Sequence, residues 1–250
     1  MATHHNSNRR LTAADLPVDF LLTHPKKILL YPLIRAVFPY TQLTYAGLCQ
    51  MYDILMWLGA HHVHGSIVEM GCGRGGCGAF MARVSRGKQA NPLWLFDSFE
   101  GLSRPHEADT VGTKKDLEKV TKGYLKVPEE SVWEIVDRVA HSERDRVHVI
   151  KGWFSETVPA HKHAIGKIAI LRLDADLYEP TKYCLQELYD QVVPGGYVVI
   201  DDYKKWVGAR KALFEFFVER GISPYVKEYP ARGVAYFMKE DDHATSKSNT

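Results

Sequence analysis

The chain has 250 residues, 45% of them hydrophobic, which is enough to bury one substantial core. Its 32 Lys and Arg nearly balance its 30 Asp and Glu, for a formal net charge of +2, which argues against a nucleic-acid groove or a strongly anionic partner. Cys49, Cys72, Cys77 and Cys184 form no CxxC pair, so neither a disulfide framework nor a zinc ribbon is expected, and a reducing cytoplasm fits best.

The first residues, Met-Ala-Thr-His-His-Asn, lack the charged and apolar regions of a secretory signal. The stretch from Ile28 to Tyr40 is broken by Pro32, Arg35 and Pro39 and falls short of the ~20 apolar residues of a membrane span, so it reads as a docking segment. From Phe20 to Tyr40 short pieces are expected to lie over a core. Between Thr41 and Ala60, apolar Leu48, Met51, Tyr52, Leu55 and Leu58 recur at helical spacing, with Thr41 or Thr44 as the cap.

Beyond that helix, strands are predicted at Ser66 to Met70, Leu93 to Asp97, Val147 to Lys151, Lys167 to Asp174 and Tyr197 to Asp201. They alternate with helices near Gly75 to Ser85, Pro128 to Ala140, Pro180 to Val192 and Gly208 to Arg220. Such alternation predicts an α/β fold, a mostly parallel sheet with helices on both faces. Val193-Pro194-Gly195-Gly196 reads as the turn feeding the fifth strand. Pro224 to Tyr229 and Val234 to Met238 are two late strands joined by Pro230 to Gly233, which adds one antiparallel strand. The division expected is 1–62 as a helical lid or docking segment, 63–240 as the main domain and 241–250 as a disordered tail.

The run from Ser66 to Gly78 is a strand entering a glycine-rich turn and then a helix, so backbone N–H groups can face a ligand there. Gly71, Gly73 and Gly76 satisfy G-x-G-x-x-G, a pattern shared by dinucleotide enzymes and methyltransferases. Glu69, at the end of the first strand, suits the ammonium of a sulfonium amino acid and would repel a pyrophosphate. Asp97, closing the second strand, suits the two ribose hydroxyls of either cofactor. A ligand-free tight turn is the alternative for the glycines.

Asp174 and Asp176 lie where the fourth strand runs out, and Asp201 and Asp202 where the fifth does. If these strands pair, their ends are about 5 Å apart and the carboxylates converge. A hard cation with oxygen ligands relieves the resulting repulsion, with Asp174, Asp201 and Asp202 as ligands. The cation would lower the pKa of a substrate hydroxyl, and Asp176, on the same side if the strand persists, would take its proton. In the competing reading these aspartates are turn or surface residues, or they pair with Arg172, Arg210 or Lys204.

The order Glu69-x-Gly, Asp97-Ser-Phe-Glu-Gly101, Lys151-Gly-Trp-Phe154, Leu173-Asp-Ala-Asp-Leu-Tyr-Glu179 and Pro194-Gly-Gly-Tyr-Val-Val-Ile-Asp-Asp-Tyr203 resembles the macrocin O-methyltransferase family. The likeness runs from about Val63 to Phe217 and includes Gly208-Ala-Arg-Lys-Ala212. It implies a class I methyltransferase fold, seven-stranded and Rossmann-like with an N-terminal helical lid, and a sheet order of 3-2-1-4-5-7-6. The implied activity is S-adenosylmethionine- and Mg²⁺-dependent methylation of sugar hydroxyls on natural products. Carried over, Asp174, Asp201 and Asp202 match the metal ligands and Asp176 the base. The cofactor set becomes Glu69, Gly71, Gly73, Gly75, Cys77, Asp97, Ser98, Gly152, Trp153 and Asp174, with Trp153 near the adenine or else packed in the core. Cys77 stands where a small hydroxyl residue is expected, and a thiol is a weaker donor.

The segments before Val63 and from Ser103 to Val127 match nothing and leave the acceptor unread. Arg104, His106, Tyr124, Tyr31, Phe38 and Tyr40 are candidates for an acceptor pocket, although solvated loop or core packing is the better reading of each. His141, His148, His161 and His163 lie away from the strand ends and receive no catalytic role. The partner expected is a small hydroxyl acceptor, with no nucleic acid and no membrane span, and self-association is expected from the resemblance and the apolar N-terminal segment. The rivals are a nicotinamide oxidoreductase, a catechol-type O-methyltransferase, and a ligand-binding module without turnover.

Overall fold

The computed structural model describes residues 10–12, 15–16, 18–87, 91–109, 123–201, 203–204, 206–228 and 234–241. Short pieces come first: helix α1 (Val18–Thr23), a 3-10 turn at Pro25–Leu30, α2 (Tyr31–Val37) and a 3-10 turn at Phe38–Tyr40. Pro32 lies in the first turn of α2, where the missing N–H costs nothing. Ile34, Val37 and Phe38 are fully buried, so this segment supplies core as well as covering it. Helix α3 (Tyr45–Ala60) begins after Thr44, whose side-chain oxygen accepts from the Gly47 N–H at 3.1 Å; Thr44 rather than Thr41 is the cap.

The alternating part contains β1 (Ser66–Met70), α4 (Gly76–Val84), β2 (Leu93–Asp97), α5 (Glu130–Ala140), β3 (Val147–Lys151), α6 (Phe154–Ile165), β4 (Ile168–Leu173), α7 (Tyr178–Leu188), β5 (Val192–Ile200), α8 (Val207–Arg220), β6 (Lys227–Glu228) and β7 (Ala235–Met238). The sheet order is β3-β2-β1-β4-β5-β7-β6, as expected. β1 to β5 run parallel, and β7 is antiparallel to both its neighbours.

Alternate residues of the central strands face opposite layers. Ile67 and Ile170 pack with Leu48 of α3, Phe80 of α4 and Ile135 of α5. Val68 and Leu171 pack with Val158 of α6, Leu185 of α7 and Phe216 of α8. With both faces covered, β1 and β4 are buried throughout, which is why they read as short continuous apolar runs. Glu69 and Arg172 are the two charged exceptions, and they are register partners across β1 and β4.

Two details depart from the sequence reading. Pro194-Gly195-Gly196 is inside β5 as a bulge, not before it as a turn: Ile168 pairs with Val192 and Ile170 with Tyr197, so the intervening residues loop out. Gly195, at φ +79°, still donates its N–H to Lys239 O at 2.8 Å, which keeps the bulge attached to the sheet. Helix α6 has no counterpart in the predicted elements, because Pro159 lies inside it. The 230–233 connection and the tail from residue 242 lie outside the described residues. No helix among the described residues is long and apolar enough to cross a membrane.

Candidate active site

A cleft of about 380 Å³ opens at the C-terminal ends of β1, β2, β4 and β5, where the strand order reverses between β1 and β4. Its floor is the glycine turn. Gly71 donates its N–H to Phe96 O at 2.8 Å with φ +90°, and a Cβ there would lie 2.0 Å from the Asp174 carbonyl oxygen. Only glycine lets the ends of β1 and β4 approach so closely. Gly73 donates its N–H to Asp97 Oδ2 at 2.8 Å, and Phe99 donates to Oδ1 at 2.8 Å. Burial raises the Asp97 pKa above the ordinary carboxylate range, and these two N–H donors work against the rise. The carboxylate keeps lone pairs for further donors such as ribose hydroxyls.

Of the other residues expected around a cofactor, Glu69, Cys77, Ser98, Gly152, Trp153 and Asp174 line the same cleft. Trp153 is 40% exposed, so it belongs to the wall and not to the core. Gly75 is not on the wall: it precedes α4 at φ +83°, and a Cβ there would meet Val132 of α5 at 2.8 Å, which makes it a packing position. Tyr40 also lines the cleft, whereas Phe38 is fully buried, Tyr124 packs against the Leu177 and Trp206 cluster, and Arg104 is exposed. His106 stacks on Tyr178 with ring centroids 5.0 Å apart. His148 stacks on Trp94, away from the strand ends.

The acids of β1, β4 and β5 meet on one wall. The ladder continues one residue past β4 and β5, with Asp174 N donating to Met70 O at 2.8 Å and Asp201 N to Leu173 O at 2.9 Å, and this sets both carboxylates at the rim. Arg172, 1% exposed, reaches all three acids: Nη1 is 2.7 Å from Glu69 Oε1 and 2.9 Å from Asp174 Oδ2, and Nη2 is 2.7 Å from Asp201 Oδ1. Pairing of Asp174 and Asp201 with Arg172, one of the competing sequence readings, is therefore realised, but in the interior and not on the surface. Burial opposes the Arg172 charge, and Asp174 and Asp201 outweigh it, so the guanidinium stays protonated.

One guanidinium does not neutralise three carboxylates. The Asp201 carboxyl is pushed up to about 6, first by burial and then by repulsion from Asp174, with Arg172 pulling the other way. Burial lifts Glu69 to about 7 despite Arg172. Glu69 Oε2 is buried without a hydrogen-bond partner, and the Cys77 thiol beside this carboxylate is only a weak donor. Asp202 lies outside the described residues, and among those described no group of three or more His, Cys, Asp or Glu side chains stands in a metal-binding arrangement.

Asp176 does not continue the strand. β4 stops at Leu173, and Asp176 has φ +57° beneath a tight bond from Leu177 N to Ala175 O of 2.6 Å. The expected alternation is lost there, yet Asp176 still reaches the wall. Arg172 enters the sequence reading only as one of three alternative partners of the aspartates and not as a site residue. The signal was present, since a lone basic residue inside a run buried on both faces must have an acidic partner.

The sheet order β3-β2-β1-β4-β5-β7-β6 with β7 antiparallel, and the glycine turn at the strand reversal, are those of a class I methyltransferase fold. Residues 35–238 match the family Macrocin-O-methyltransferase (TylF), and the chain belongs to that family. It is 36% identical over 178 residues to the 8-demethyl-8-(2,3-dimethoxy-alpha-L-rhamnosyl)-tetracenomycin-C 4'-O-methyltransferase of Streptomyces olivaceus, covering 70% of this chain and 66% of that one. To the demethyldecarbamoylnovobiocin O-methyltransferase of Streptomyces niveus it is 32% identical over 164 residues, 62% of this chain and 59% of that one. The match thus spans 66% and 59% of the length of these two relatives, less than two thirds of each. The solved structure of the O-methyltransferase NovP is similar with a TM-score of 0.68 and 28% identity, covering 81% of this chain and 83% of that one.

Proposed function

We propose that the protein transfers a methyl group from S-adenosylmethionine to a hydroxyl of a sugar or glycosylated natural product, with a divalent cation, Mg²⁺ or one like it, at Asp174 and Asp201. The observation that carries this reading is that these two acids and Glu69 share one cleft with Gly71, Gly73 and Asp97. Three carboxylates against one guanidinium leave a buried deficit of positive charge, which suits a hard cation with oxygen ligands. Asp202, adjacent in sequence, is the third ligand in this reading. The relatives are named for methylation of a rhamnosylated tetracenomycin and of demethyldecarbamoylnovobiocin, which points to a hydroxyl of a natural product, a sugar hydroxyl among them, as the acceptor.

The sulfonium would supply the methyl group, and the cation would lower the pKa of the acceptor hydroxyl. The protein's own residues do the rest. Asp97 receives the ribose, Glu69 the ammonium, and Trp153 flanks the adenine, with Gly73, Cys77, Ser98 and Gly152 completing the wall. Asp176, held by its turn, takes the hydroxyl proton. Tyr40 to Thr44, at the end of an N-terminal lid, cover the cleft and exclude water. A cytoplasmic location belongs to the same reading, all four cysteines being free. So does homo-oligomer formation through the N-terminal segment, where Leu22 and Leu29 are 75% and 78% exposed; light scattering that finds a single-chain mass overturns that part.

The test is calorimetric titration of S-adenosylhomocysteine with and without Mg²⁺, on the wild type and on Asp201→Asn, followed by methyl transfer to a rhamnosyl glycoside and to a catechol. Micromolar binding, with glycoside methylation that stops on chelation and returns with Mg²⁺, is the expected result. No heat under any condition removes the reading, and methylation of the catechol alone replaces the acceptor.

A further inference from the structure

We infer that Arg172 is a positioning residue that holds the cofactor acid Glu69 and the cation acids Asp174 and Asp201 as one unit while touching neither ligand. The inference rests on the proposed function. It starts from the sheet: Glu69 and Arg172 are opposed in register on the two central strands, and both are 1% exposed. By strand alternation both side chains point to the layer of α3, α4 and α5, the layer to which the glycine turn delivers the chain.

The contacts are divided evenly. Arg172 takes one oxygen from each acid, Glu69 Oε1, Asp174 Oδ2 and Asp201 Oδ1. Nη1 is shared between Glu69 and Asp174, so the carboxylate from β1 and the one beyond β4 cannot move independently. A planar fork makes this possible, because its donors have fixed directions, whereas an ammonium is a point charge on a flexible stem. Three carboxylates and one guanidinium leave the set short of positive charge, which a bound cation would supply. Arg172 therefore does two things at once: it keeps the acids from repelling one another apart, and it fixes the three carboxylates in a common frame.

Positioning and simple charge balance make different forecasts. Arg172→Lys keeps the charge and loses the fork. Supporting residues of this kind typically change metal affinity by about 10–100-fold, so Mn²⁺ binding, followed by water-proton relaxation on the cofactor-free protein, should weaken about tenfold or more. S-adenosylhomocysteine binding by calorimetry should weaken with it. If Arg172 only balances charge, Arg172→Lys leaves both affinities unchanged. If it only supports the fold, the variant binds with a lower active fraction and an unaltered Kd. Glu69→Asp is the second variant, since it keeps its charge but is one methylene too short for the same contact. Weaker Mn²⁺ binding in Glu69→Asp supports the inference even where Arg172→Lys fails to fold. A wild type that binds both probes, beside variants that bind them equally well, overturns the inference alone, while a wild type that binds neither overturns the functional reading with it.

Discussion

Gly71→Ala and Gly73→Ala form a pair whose effects the geometry separates. Both glycines have positive φ, +90° and +52°. A left-handed conformation costs an L residue about 1–2 kcal/mol, and +52° lies within the small allowed well while +90° lies outside it. A Cβ on Gly73 meets nothing within 4 Å, so that strain is its whole cost to the fold. A Cβ on Gly71 would fall 2.0 Å from the Asp174 carbonyl oxygen, and because this is backbone at the junction of β1 and β4, the strand ends must separate. Overpacking of this kind costs about 1–3 kcal/mol, for a total of about 2–5 kcal/mol. At about 2–4 °C per kcal/mol for a chain of this size, Gly73→Ala should lower Tm by about 2–8 °C, and Gly71→Ala by at least about 2–4 °C more. Differential scanning calorimetry reads both. The ligand response should invert the order of surprise: Gly73→Ala, mild for the fold, places a methyl group on the cleft wall and should weaken S-adenosylhomocysteine at least about tenfold, about 1.4 kcal/mol. Equal Tm losses for the two variants, or unchanged binding in Gly73→Ala, would refute the assignment of these glycines to strand approach and to the ligand wall.

Asp176→Asn keeps shape and tolerates positive φ as well as Asp does. Methyl transfer should fall by about 10²–10⁴-fold in a single-turnover assay while S-adenosylhomocysteine binding stays within about twofold; a rate near that of the wild type would remove Asp176 as the base. His148 has a pKa lowered from 6.5, by burial first and by His161 second, so the unfolded chain takes up its proton at higher pH than the folded one. The stability it protects is complete above the unfolded value and is lost as pH falls through 6.5 toward the folded one. The Tm of the wild type should therefore drop more than that of His148→Phe between pH 7.5 and pH 5.5, and parallel drops would count against it.

Much of the fold was legible because the central strands are covered on both faces. β1 and β2 have the bounds read from the sequence, since an apolar run that ends at glycine or an acid leaves little choice of register; the half-exposed edge strand β3 also keeps its bounds, ending before Gly152. Local signals failed where tertiary contacts override them. Pro159 argues against a helix, yet α6 forms because Val158 and Ile165 are buried against the sheet. Pro-Gly-Gly argues for a turn, yet pairing with the chain after β7 keeps it in β5. At the site, Asp97, Asp174 and Asp201 were readable from their places at strand ends. Asp176 was readable as a candidate but not by the alternation offered for it, because the strand ends three residues earlier.

The placement of Arg172 and Glu69 makes little sense as a device for stability alone. Apart from Ser66 at the start of β1, each sits in a strand otherwise filled with Ile, Val, Leu, Ala and Met, where an apolar residue would satisfy both the sheet and the helical layer. Desolvating two charges costs several kcal/mol for each ion, and one ion pair in the interior seldom recovers it, so well-packed apolar replacements are often neutral or stabilising. The structure also leaves Arg172 Nε without a hydrogen-bond partner, a further cost that a purely structural pair would have no reason to carry. Adding Asp174 and Asp201 does not relieve the burden, because it turns a balanced pair into a set with more carboxylates than guanidinium. Such a set is poor as architecture and suitable as a receptor for positive charge. Its position at the strand reversal, beside the glycine turn, is where a cationic cofactor and a metal ion would meet.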